Sequence, residues 1–182
     1  MVDLPLINLS TPWLIAVNAG AWTFIHFSVG FLASRVKDTS INPYNTLFKT
    51  RSWERNGRIY QSIFRVRLWK KFLPSAGRIF GLFSLNGFRS SSRNYARKWM
   101  MESCRAELTH WYAMLPGFLF LLWNPFEAWL INLIYAVCAN IPCIISQRYN
   151  RPRIQTLVGR RESLSRSSSC TQADLSENKS TV

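Results

Sequence analysis

The chain of 182 residues carries 23 Lys+Arg against 9 Asp+Glu, a formal charge of +14, yet 48% of it is hydrophobic and 14% aromatic. A disordered basic tail would be poor in aromatics, and a soluble nucleic-acid binder rarely holds long uncharged stretches, so neither describes the whole chain. The expected class is mainly α: a small membrane protein with two or three transmembrane or re-entrant helices and a basic amphipathic cytoplasmic loop.

Residues 13–33 form a 21-residue run with no charged side chain. As a helix it would span about 31 Å, enough for a hydrocarbon core. The alternative is a cleaved signal peptide. Asp3 is the only charged residue before the run, and Arg35 and Lys37 follow it, which favours an uncleaved anchor with its N-terminus outside.

Residues 35–105 are a basic cytoplasmic or interfacial region holding 16 basic side chains. Within it Trp53, Ile59, Tyr60, Ile63, Phe64, Val66, Trp69, Phe72 and Leu73 recur at roughly helical spacing. Arg55, Arg58, Arg65, Arg67, Lys70 and Lys71 interleave with them. Two readings stand: an amphipathic helix in the headgroup layer, or a core helix of a small cytoplasmic domain. Gly77, Gly81 and Gly87 follow among apolar residues, but no Gly-Lys-Ser/Thr ends them, so they mark no phosphate loop.

A second apolar block, residues 108–146, is broken at Asn124, Pro125 and Glu127. Its arms, Leu108–Trp123 and Ala128–Ser146, hold 16 and 19 residues. Crossing takes roughly 17–25 residues, so the first arm is short, and Pro116-Gly117 can kink it. A helical hairpin turning at Asn124-Pro125 puts Glu127 at its tip and away from the bilayer centre. A basic interfacial motif occupies 147–158. Residues 159–182 are rich in Arg, Ser and Thr and are expected to be a disordered tail. The first twelve residues and the hairpin tip carry no basic side chain, so the positive-inside tendency places the loop and tail in the cytoplasm of a cell-membrane protein.

The residues that bear chemistry are few. Cys104, Cys138, Cys143 and Cys170 contain no Cys-x-x-Cys pair, and His26 and His110 are the only histidines, so no metal or other cofactor is expected. There is no Gly-x-Ser-x-Gly elbow and no His-x4-Asp motif. His26 lies inside the first apolar run and reads as a packing residue. Glu107 and His110 are three apart and share a helix face, so the carboxylate can orient the imidazole as a general base. A polar helix start with a merely hydrogen-bonded His110 accounts for the same residues. Arg148, Asn150, Arg151 and Arg153 follow the last apolar run, where a positive-inside stop also requires basic residues. The hairpin returns Arg105–His110 and Arg148–Arg153 to one membrane face, where arginines can hold an acidic donor or an oxyanion.

At these residues the sequence resembles the glycosyl-diaponeurosporenoate acyltransferases of staphyloxanthin-type carotenoid biosynthesis. The likeness rests on Cys104–Trp111, Leu115-Pro116, Trp123–Pro125, Asn140–Pro142 and Gln147–Arg153. Trp53-Glu54, Arg65–Arg67 and Trp69–Pro74 agree upstream, so it covers roughly residues 43–158. The resemblance implies an enzyme that esterifies a sugar hydroxyl of a glycosylated carotenoid with a fatty acyl group. The acyl donor would be acyl-CoA or acyl carrier protein, membrane lipids would surround the chain, and no nucleic acid is involved. On this expectation His110 and Glu107 are catalytic, and Arg105, Arg148, Asn150, Arg151 and Arg153 bind substrate. The rival expectation is a non-catalytic scaffold whose basic loop holds anionic headgroups.

Overall fold

A computed structural model describes residues 5–73, 80–83, 85, 88, 90 and 92–180, with side chains in the last helix described to residue 160 and at Ser163. Pro74, Gly77 and Gly87, which figure in the sequence patterns above, lie outside the described residues. Among the described residues the secondary structure is helical, without a strand.

Helix α1, Thr11–Arg35, has 25 residues and a proline in its first turn. The proline's fixed φ suits a helix start, where its missing N–H is not needed. The helix is about 38 Å long. Only Trp22 and Gly30 are buried along it, while Trp13, Phe24, Phe27, Phe31 and Leu32 are exposed. Two helical stretches, Thr11–Arg35 and Phe126–Arg160, are long and apolar enough to cross a membrane. Phe118, Leu119, Phe126, Ile131 and Ile134 are also exposed. Water would penalise so much outward apolar surface, and lipid would accept it.

The hairpin forms from α4, Arg93–Met114, a 3-10 helix over Leu115–Leu122, and α5, Phe126–Ser180. Pro116 lacks the N–H an α-helix would use there, and the chain tightens into the 3-10 form. The first arm is therefore not one α-helix. Its α-helical start and 3-10 remainder together reach about 26 Å, because the 3-10 form rises ~2.0 Å per residue. The chain reverses at Trp123–Pro125, as the Asn-Pro pair predicts. Gly117 lets the arms approach: a Cβ there would sit 3.4 Å from Ala136 Cβ and 3.5 Å from Trp22.

Helix α1 packs antiparallel to the first arm. At one end Leu6 N–H donates to Leu122 O (2.7 Å), and Asn18 and Asn124 exchange amide hydrogen bonds of 2.8 and 3.0 Å. Near the middle Trp22 Nε1 donates to Asn132 Oδ1 (2.8 Å) and stacks on Phe120. Asn124, Asn132 and Asn140 are all buried and lie eight residues apart, close to one face of a helix. Each also donates its amide to the carbonyl four residues back (Phe120, Ala128 and Ala136), which leaves its oxygen for a neighbour.

The helical periodicity of residues 53–73 is real but discontinuous. A 3-10 turn, Ser52–Gly57, leads into α2, Arg58–Phe64, and then α3, Val66–Trp69. Arg65, at φ 48°, breaks the amphipathic stretch in two. Its N–H bonds Gln61 O, and Gln61 Oε1 accepts from Arg67 N–H, so the break is hydrogen-bonded. Tyr60 and Val66 bury against Tyr149 of α5, while Ile63, Leu68 and Phe72 point outward. One face is thus a core face and the other is exposed, as in an amphipathic stretch. Helix α5 continues as helical backbone to Ser180, where composition predicts disorder. No proline follows Pro152 to interrupt it.

Gly57 marks where this loop touches α5. At φ +80° its missing Cβ would lie 2.9 Å from Tyr149 O. Gly57→Ala is expected to cost about 1–3 kcal/mol through left-handed strain and overlap with a backbone atom. Gly20→Ala, where nothing lies within 4 Å, should leave stability unchanged or slightly raised. Thermal unfolding of the two variants in detergent compares them.

Candidate active site

Three polar assemblies stand at the basic end of the bundle. The first is an ion network around Glu107, which is 1% exposed. Arg148 Nε donates to Glu107 Oε1 and Arg151 Nη2 to Glu107 Oε2, both at 2.7 Å. Arg148 also donates to Glu54 Oε1 (3.0 Å) and Leu47 O, and Arg151 to Phe48 O and Ser103. Tyr60 O–H completes the set by donating to Glu54 Oε1 at 2.6 Å, and burial with that bond pushes the Tyr60 phenol up. Two carboxylates face two guanidiniums, so the buried charge is balanced. Helix α4, helix α5 and residues 47–60 all meet there.

The second assembly clamps the end of α1. Arg105, 4% exposed, donates to the carbonyls of Ala33 and Val36 and pairs with Asp38 and Glu102. Lys98 joins through Asp38 (2.6 Å) and Glu102 (3.1 Å). A guanidinium on the last carbonyls of a helix satisfies orphan acceptors and its dipole together. The Lys98 hydrogen bond, aided by the Arg105 charge, holds the Asp38 carboxyl below its usual range.

The third assembly contains His110. Its Nδ1 lies 2.9 Å from Asn140 Oδ1. Asn140 Nδ2 donates to the Ala136 carbonyl, which can only accept, so the amide orientation is fixed and Oδ1 must be the atom facing the ring. Nδ1 therefore carries the proton, and Nε2 keeps its lone pair as the basic edge.

The expected site residues are thus divided. The hairpin brings Glu107, Arg148 and Arg151 together as predicted. Glu107, however, is held by arginines and does not orient His110; Asn140 does. Arg105 belongs to the α1 clamp, where its donors are spent on protein acceptors. Asn150 accepts from Lys70 Nζ (2.8 Å), and Arg153 bonds and stacks on Tyr149. Sequence reasoning gave no role to Asn140, Glu54 or Tyr149. The eight-residue spacing of asparagines in an apolar run was the available signal. Cys104 is fully buried and its thiol is pushed up to about 11, chiefly by burial, so it is a poor nucleophile.

Two open clefts flank α4. One of about 1040 Å³ is lined by Lys49, Arg97, Met100 and Val158, and one of about 570 Å³ by Phe83, Lys98 and Arg105; neither reaches His110. Among the described residues, no three His, Cys, Asp or Glu side chains gather as a metal site would require.

These features define a small helical protein of membrane type, with a buried charge network beneath a histidine whose basic nitrogen is set by a helix-anchored amide. The profile of the glycosyl-4,4'-diaponeurosporenoate acyltransferases matches residues 44–160. A protein of that name from Staphylococcus haemolyticus is 34% identical over 143 residues, covering 76% of this chain and 81% of its own length. Relatives of the same name from two Staphylococcus aureus strains, bovine RF122 / ET3-1 and MRSA252, are each 32% identical over 138 residues, covering 75% of this chain and 83% of theirs. No solved structure matches. The chain belongs to the glycosyl-4,4'-diaponeurosporenoate acyltransferase family and is an acyltransferase.

Removing one partner of a buried pair strands the others. Glu107→Gln is expected to cost about 3 kcal/mol or more, read as a drop in thermal midpoint in detergent. The Asp38 contribution has an acid limb. Its folded pKa is depressed, so its stabilisation is complete above the ordinary carboxylate value and is lost as pH falls through the depressed one. The midpoint difference between wild type and Asp38→Asn should be constant near about pH 6 and shrink towards about pH 3.

Proposed function

We propose that the chain works in a cell membrane, with its basic end in the cytoplasm, and transfers a fatty acyl group to a sugar hydroxyl of a glycosylated carotenoid. The acceptor follows from the name its relatives carry. The donor is an activated acyl group, on coenzyme A or acyl carrier protein. Both substrates have long apolar parts that stay in lipid while their reacting ends meet at the interface. Surrounding membrane lipid accounts for the exposed apolar belt of the bundle.

His110 Nε2 takes the proton of the sugar hydroxyl as its oxygen attacks the acyl carbonyl. The observation that supports this assignment is the His110–Asn140 contact, which puts the proton on Nδ1 and leaves the Nε2 lone pair as the base. Asn140 is a positioning residue. Glu107, Arg148 and Arg151 hold the α4–α5 geometry that sets His110 against Asn140. Arg105 holds α1 in place.

The test is mass spectrometry of pigment from cells that make a glycosylated carotenoid, with wild type or variants at equal protein level. Wild type adds one fatty acyl mass. His110→Ala should lower that product about 100-fold or more, the usual worth of a positioned base. Asn140→Ala keeps the imidazole but frees its tautomer, so its loss should be smaller. Undiminished acylation by His110→Ala removes His110 as the base and leaves the acyltransferase assignment intact.

A further inference from the structure

Residues 52–73 carry six basic side chains and one acid, Glu54, which is buried and committed to Arg148 and Tyr60. Arg67 and Lys70 of this segment and Arg153 of α5 have no carboxylate partner among the described residues, yet one tyrosine holds them together. Arg67 Nε donates to Tyr149 Oη at 2.9 Å, and Arg153 donates to the same oxygen with its guanidinium over the ring. Lys70 Nζ donates to Asn150 Oδ1 at 2.8 Å and lies 5.0 Å from the ring centroid. Tyr149 is 2% exposed, whereas Arg67 and Arg153 are exposed, so a buried ring positions charges that reach the surface. Among the described residues each guanidinium gives one nitrogen to Tyr149, which leaves the rest of its fork for another acceptor. Burial, and then the charges of Arg153 and Arg67, hold the Lys70 ammonium below its usual range. Three like charges gathered this way are unfavourable unless an anion joins them.

Depth and neighbours say where that anion comes from. Counted from Phe126, 21 residues of α5 reach Ser146 and span about 31 Å, one hydrocarbon thickness. Tyr149 lies about 5 Å further along the helix and Arg153 about 10 Å, and helical side chains lean back towards the N-terminus. The cations therefore stand at headgroup level, a layer roughly 5–8 Å deep on each side of the core. Leu68 and Phe72, neighbours of Arg67 and Lys70 in the chain, are exposed, and Lys71 Nζ lies over the Phe72 ring. Acyl chains would cover that apolar surface, and a free anion would not. Resting on the membrane placement read above, we propose that Arg67, Lys70 and Arg153 bind the phosphate of an anionic glycerophospholipid whose acyl chains pass Leu68 and Phe72 into the bilayer. The lipid is neither donor nor acceptor in the reaction. Its phosphate does the work of a carboxylate, tying α3 and the turn after it to the end of α5. A zwitterionic lipid offers the same phosphate but brings an ammonium among the cations, so net negative charge selects the ligand.

The test counts lipid retained by the purified whole chain in detergent, by native mass spectrometry, after titration with phosphatidylglycerol or phosphatidylcholine. Phosphatidylglycerol should be retained in preference, and inorganic phosphate at the same concentration should not displace it. Arg67→Gln, Lys70→Gln and Arg153→Gln should each weaken its retention about fivefold, and the three together about 100-fold. Arg97→Gln, an exposed cation on α4, should leave retention unchanged. Should the triple variant fail to fold, the single variants carry the test beside Arg67→Lys, which keeps the charge and should hold most of the lipid. Equal retention of both lipids, full retention by the charge-removing variants, or displacement by inorganic phosphate would each overturn the proposal. Release of the chain from membranes by an alkaline wash would instead overturn the membrane placement itself.

Discussion

A carboxylate with almost no contact with water keeps its charge only if the protein supplies the opposite one, and Glu107 shows what that requirement builds. Its two oxygens take one arginine each. Arg148 then reaches Glu54 and Leu47, and Arg151 reaches Phe48 and Ser103. The desolvation cost of four charges is offset only when all are present and well placed. The loop at 47–60, α4 and α5 are therefore fixed together. The side chains above them, including His110, inherit that geometry.

The same requirement sorts the charges of the chain into paired and unpaired ones. A chain with 23 basic residues and 9 acidic ones cannot neutralise itself. Among the described residues, the acids of the basic end go to cations that join helices. The surplus includes Arg67, Lys70 and Arg153, gathered around Tyr149. Along α5 the amide that orients His110 lies toward the hairpin and the unpaired cations toward the tail.

Much of this was legible in the sequence. Uncharged runs gave the helices long enough to cross a membrane, Asn124-Pro125 gave the reversal, and the likeness over residues 43–158 anticipated the family profile at 44–160. The pairing inside the site was harder to read. A separation of three on one helix brings Glu107 and His110 to the same face. It cannot say that two arginines from α5 will outcompete an imidazole for the carboxylate. Arg105, adjacent in sequence to the site, is drawn away by the open carbonyls at the end of α1, whose position depends on tertiary packing. The break at Arg65 follows from left-handed geometry that arginine tolerates only because neighbouring hydrogen bonds hold it, and no local pattern announces that.

The line of asparagines that begins in the turn before α5 and continues along it also governs how the bundle can move. Each buried amide meets a different partner: Asn124 meets Asn18 of α1, Asn132 meets Trp22 of α1 and Asn140 meets His110 of α4. Sliding α5 by a single turn would unpair all three at once, so there is no shallow path of intermediate registers. The helices work like a vernier with only one matching graduation. Any opening that admits substrates must come from tilting or from the basic loop, and a fault at the hairpin tip would be felt as a mis-set imidazole at the other end.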